Sequence, residues 1–167
     1  MLPVAELNAL PEREFAQALR PLFEAAEPLA RALYRQRPFA SYDDLLSHAE
    51  VIAQRLPFAD QIEVLNAHPR VGENPAAVSA ASFKEQGYAA EAALPPQEIE
   101  RVYALLRELN EAYEQRFGFR FVVFVNKRAK AEIVDVLRRR LDNNREQELR
   151  TRLRDMFLIA RDRYASS

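Results

Sequence analysis

Along most of this chain, apolar residues recur at intervals of three and four. In "VYALLRELNEAYEQRF", Val102, Leu105, Leu106, Leu109 and Tyr113 fall on one stripe, and "ELRTRLRDMFLIARDRY" repeats the pattern with Leu149, Leu153, Met156, Ala160 and Tyr164. This is the period of a helix with one buried face. "SYDDLLSHAEVIAQRL" predicts a third helix, opened by a capping pair of Ser41 and Asp44. "EREFAQALRPLFEAAEPLARALYRQR" predicts two helices joined near Arg20–Pro21, with Pro21 and Pro28 in first turns. "FADQIEVLNA" predicts a short helix that stops at His68–Pro69, because a residue before proline is driven out of the helical region. Pro96 marks the start of the long central helix, and "RVGENPAAVSAA" reads as a loop with Gly72, Asn74 and Pro75 as turn signals.

One stretch departs from the helical period. "FGFRFVVFVNK" is β-branched and aromatic, and it follows Gly118, a helix stop of the left-handed kind. No second clear strand offers it a partner. The expectation is a buried extended segment near 119–125, threaded between helices, whose backbone N–H and C=O groups must find partners elsewhere. A polar ligand is one candidate. The fold class expected is therefore all-α: a single-domain helical bundle over 1–167 with one short extended segment.

Composition sharpens this picture. Only three glycines occur, and 24 basic residues balance 25 acidic ones for a net charge of −1. Such a balance argues against a dedicated nucleic-acid binder. The Arg-rich "LRRRLDNNREQELRTRLR" alternates with acids, as expected of a solvated helix face with i,i+4 pairs. There is no cysteine, hence no disulfide, thiolate nucleophile or cysteine-based zinc site. No apolar run is long enough for a membrane span, and the N-terminus does not read as a secretory signal. The expectation is a soluble cytoplasmic protein. Two separated histidines and the absence of HExxH, P-loop, GxSxG or EF-hand spacing predict no metal site.

Three places carry candidate chemistry. His68 closes a helix on a rigid His-Pro corner, where a neutral imidazole suits proton transfer near pH 7; bonding to free helix carbonyls explains it equally. In "SFKEQ", Ser82 and Glu85 have capping-box spacing. With Gln86 they also form a polar set at an expected helix start, where the dipole favours negative charge. Arg163 falls on the flank of the last helix's apolar stripe. It is either a snorkelling edge residue or an inward fork for an anionic or carbonyl group.

Taken in order, "LNAHPRVGE", "SFKEQ", "LNEAYEQRFGFRFVVFV", "AEIVDVLRRRLDNNREQEL" and "IARDRY" resemble the OHCU decarboxylase family, that is, 2-oxo-4-hydroxy-4-carboxy-5-ureidoimidazoline decarboxylase. The likeness runs over nearly the whole chain, including "LNALPEREF" and "RPFASYDDLL". It implies a helical bundle, often a homodimer, that works without cofactor on a small-molecule ureide of urate breakdown and yields (S)-allantoin. It implies that His68 and Glu85 are catalytic. Pro69, Ser82, Phe83, Lys84 and Gln86 become substrate contacts, as does Arg163, and the backbone of Phe121, Val122, Val123, Phe124 and Val125 holds the ureide. Arg70, Arg120 and Phe124 stand where the family commonly has an acidic residue, a proline and a cysteine. The rival readings are a helical interaction module that has lost catalysis and a lyase acting on a related ureide.

Overall fold

The computed structural model describes residues 1–91 and 95–167. Among them are eleven α-helices, one short 3-10 turn and no β-strand. None of the described helices is long and apolar enough to cross a membrane. The chain forms two compact units, one of residues 1–68 and 150–167, the other of residues 69–149.

The first unit holds α1 (Val4–Ala9), α2 (Glu12–Ala18), α3 (Arg20–Phe23), α4 (Glu27–Tyr34), α5 (Tyr42–Arg55) and α6 (Phe58–Asn66), with most of α11 (Arg145–Ala165). Helix α4 packs against α2, α5 and α6. Its Leu29 and Leu33 are fully buried, as are Leu45, Leu46 and Ala49 of α5 and Val64 and Leu65 of α6. The Ser41 cap forms as its spacing predicts: its hydroxyl accepts the Asp44 N–H at 3.1 Å, and Asp44 accepts the Ala40 N–H at 2.9 Å. Pro21 and Pro28 sit in first turns, but the segment breaks twice rather than once. The second break is at Glu24, with φ 57° and ψ −145°, a region that side chains seldom occupy.

The second unit contains α7 (Ala80–Glu85), α8 (Tyr88–Glu91), α9 (Pro96–Phe117) and α10 (Lys130–Arg140), followed by the first turn of α11. Pro96 opens α9, and Gly118 ends it at φ 77°. The ridge of α9 that reaches full burial is Leu106, Asn110, Tyr113 and Phe117. Asn110 belongs there because its Nδ2 donates to the Val71 carbonyl at 3.1 Å. Gly72, at φ 78°, lies so close to Leu106 that a Cβ would meet its Cδ1 at 2.9 Å. Residues 119–125 are extended and unpaired as a strand, with Phe119, Phe121, Val122, Val123 and Val125 buried.

Two expectations fail here. The cap of α7 is Ser79, whose hydroxyl accepts the Ser82 N–H at 3.1 Å. Ser82 lies inside the helix and Glu85 at its C-terminal end, so the capping box and the helix-start dipole do not apply to them. The sequence "SAAS" starts the helix one turn earlier than "SFKE". The Arg-rich run is also not one solvated face. It is split by a turn at residues 141–144, and Arg140, Glu148 and Arg152 are buried.

Candidate active site

In the first unit, α6 ends at Asn66 and delivers His68 to the interior, where it is 3% exposed. Burial and the charge of Arg163 lower its pKa from 6.5 to about 4. Arg152 adds to the lowering, while Glu24 and the Val64 carbonyl oppose it. The imidazole is therefore neutral at pH 7. Arg163 points inward. It pairs with Glu24 at 2.9 Å and donates to the Leu22 carbonyl at 3.4 Å. The guanidinium is directed at Glu24 and the α3 backbone rather than at solvent. Arg152, fully buried, belongs to the same electrostatic group.

The second unit places Ser82 and Gln86 in its interior, with Glu85 half-buried between them. The Gln86 side chain is well occupied. Its Oε1 accepts the Gly72 N–H at 3.1 Å and lies 2.9 Å from the Tyr88 hydroxyl. Its Nε2 donates to the Arg70 carbonyl at 3.4 Å, leaving one amide hydrogen. The Gln86 backbone carbonyl accepts from Lys130 Nζ at 3.0 Å, and that ammonium sits 3.8 Å from the Tyr88 ring centroid. Phe83 and Lys84 are exposed, and Phe83 stacks on Tyr88. A cavity of about 350 Å³ is lined by Glu85, Gln86 and Val125, with Tyr103, Arg128 and Lys130.

The extended segment shows a pattern that the sequence did not reveal. Its carbonyls are taken by arginines: Val122 by Arg140 at 3.0 Å, Val125 by Arg128 at 3.0 Å, and Phe124 by Arg128 as well. Among the described residues, no acceptor meets the amide N–H groups of residues 121–125. In an extended segment alternate amides point to the same side, so a subset of these N–H groups is arranged to meet carbonyl oxygens of a ligand. Among the described residues, no group of three or more His, Asp or Glu side chains is placed to hold a metal.

Sequence reasoning missed Glu24, Arg128, Arg140, Glu148 and Arg152. For Arg140, Glu148 and Arg152 the one signal available was a run of charges too regular to single out its inward members; Glu24 and Arg128 lie outside that run. Arg70, noted as a departure, pairs with Glu114 through two contacts of 2.6 and 2.7 Å.

Comparison with known proteins places this arrangement in context. The family model for OHCU decarboxylase matches residues 8–165. The 2-oxo-4-hydroxy-4-carboxy-5-ureidoimidazoline decarboxylase of Haloferax volcanii is 31% identical over 164 residues, covering 98% of this chain and 95% of that protein. The uric acid degradation bifunctional protein of Bacillus subtilis is 32% identical over 165 residues, covering 99% of this chain and 32% of that protein. Among solved structures, an OHCU decarboxylase crystallised in the presence of (S)-allantoin matches with a TM-score of 0.69 at 23% identity, over 88% of this chain and 94% of that one. That last likeness is one of fold.

Proposed function

This chain belongs to the OHCU decarboxylase family, and from that premise we propose that it converts 2-oxo-4-hydroxy-4-carboxy-5-ureidoimidazoline to (S)-allantoin in urate breakdown. The observation that carries the proposal is His68: an imidazole buried in the protein and held uncharged at neutral pH.

The substrate supplies its own electron sink. The bond to the carboxylate breaks and CO2 leaves. The electron pair enters the ring, and the neighbouring C=N becomes an amine by taking a proton. The resulting enol loses its hydroxyl proton to become a carbonyl, and a proton added to the adjacent ring carbon fixes the chirality. We assign His68 to accept the hydroxyl proton. At pH 7 its imidazole is in the neutral form that can accept a proton. Glu85 relays or orients that proton. The amides of residues 121–125 receive the ureido oxygen, helped by Ser82 and the remaining Gln86 amide hydrogen. Arg163 serves an oxygen of the substrate, with Glu24 fixing its direction. Pro69 holds the corner, and Phe83 and Lys84 form the outer rim. We further propose that residues 1–167 act as one domain, in the cytoplasm and as a homodimer.

The test is to generate the substrate freshly from urate, add the protein and follow the circular dichroism of allantoin. The proposal expects rapid appearance of the (S) enantiomer. Racemic product at the uncatalysed rate contradicts it, and turnover confined to another ureide in a substrate panel redirects it. Sedimentation at micromolar concentration tests the dimer.

A further inference from the structure

We propose that Arg140 and Arg128 are positioning residues that aim two backbone amides, those of Val123 and Val125, at the ureido carbonyl of the substrate. This rests on the reading that residues 121–125 hold the ureide. The physical basis is the planarity of the peptide unit. The carbonyl of one residue and the amide of the next belong to one rigid plane and point in opposite directions. Fixing a carbonyl oxygen therefore fixes the following N–H.

Arg140 fixes the Val122 carbonyl at 3.0 Å, and so the Val123 amide. Arg128 fixes the Phe124 carbonyl, and so the Val125 amide. Among the described residues, neither amide has a protein acceptor. Arg140 is itself held. Its Nε donates to Glu148 at 2.5 Å, its guanidinium carbon lies 4.8 Å from the Phe121 ring centroid, and Glu148 is fully buried. Tyr113 and Asn143 donate to the same carboxylate at 2.5 and 2.8 Å. A buried ion pair adds little net stability over an apolar replacement of the same size. What it does supply is a fixed direction, and here the direction ends on a backbone carbonyl. Arg128 reaches the segment from only a few residues away and also touches the Val125 carbonyl at 3.0 Å. The planar guanidinium is suited to such two-point contacts in a way that an ammonium is not.

The experiment uses the full chain, (S)-allantoin as the probe, and amide 15N–1H NMR alongside steady-state kinetics. In wild type, (S)-allantoin shifts the Val123 and Val125 amides. Arg128→Ala abolishes the Val125 response and spares Val123, and Arg140→Lys does the reverse. Each raises KM by about tenfold, the upper end for one neutral hydrogen bond, with kcat and its pH profile little changed. Arg138→Ala, at an exposed arginine paired with Asp135, controls for loss of charge and changes neither response. If Arg140→Lys fails to fold, Arg128→Ala decides alone. Wild-type amides that ignore saturating (S)-allantoin overturn both this proposal and the segment's role. Amides that respond equally in wild type and Arg128→Ala overturn the positioning role only.

Discussion

At the end of α6, an imidazole that titrates at 6.5 in the open chain is held to about 4 by burial and by Arg163. Between those values the unfolded chain binds a proton that the folded one refuses. Stability is therefore full above pH 6.5 and falls as the pH drops through this window toward 4. The gap is worth about 3 kcal/mol. His68→Gln is expected to flatten that part of the profile, as urea midpoints at pH 7, 5.5 and 4 will show; parallel profiles for variant and wild type contradict it. Glu24 gives a second test. Glu24→Gln leaves Arg163 without its charge partner and is expected to cost about 3 kcal/mol by denaturant melts. Glu24→Gly should cost about 1 kcal/mol less than that, because it relieves the φ of 57°. Of these residues, the sequence singled out His68 and Arg163. Glu24 stayed hidden, since its carboxylate meets a residue near the far end of the chain and no local pattern records such a pairing.

For the elements, legibility followed length. The helices of fourteen residues or more, α5, α9 and α11, are where the apolar stripes place them. Helices α1, α3 and α8, of six, four and four residues, are too short to express a period. The start of α7 was misread because two serines three residues apart both fit a cap, and only the fold decides which has extended backbone. Ser79→Ala should destabilise by about 1 kcal/mol. A thermal melt that leaves Tm unchanged contradicts the assignment of that cap. The extended segment was legible as a break in pattern, but not the two arginines that hold its carbonyls. Arg140 and Glu148 sit in a run whose other charges face solvent, and alternation of sign cannot say which members turn inward.

Taken as a whole, the molecule is two compact units, of which the first contains His68, Arg163 and Glu24 and the second Glu85, Gln86 and the 121–125 segment. A helix stop before proline looks the same within a unit and between two, so the pattern along the chain does not mark the unit boundary at His68–Pro69. For the proposed chemistry, a double-mutant cycle tests the two assigned roles: removing His68 and Glu85 together should cost scarcely more turnover than removing His68 alone, whereas fully additive losses contradict the assignment of both to one step. The most direct measurement is turnover by His68→Ala on freshly generated substrate, read as (S)-allantoin by circular dichroism. The expected result is a loss of roughly 10²–10⁴ in rate with the helical spectrum intact; a correctly folded variant that keeps near wild-type turnover would remove His68 from the reaction.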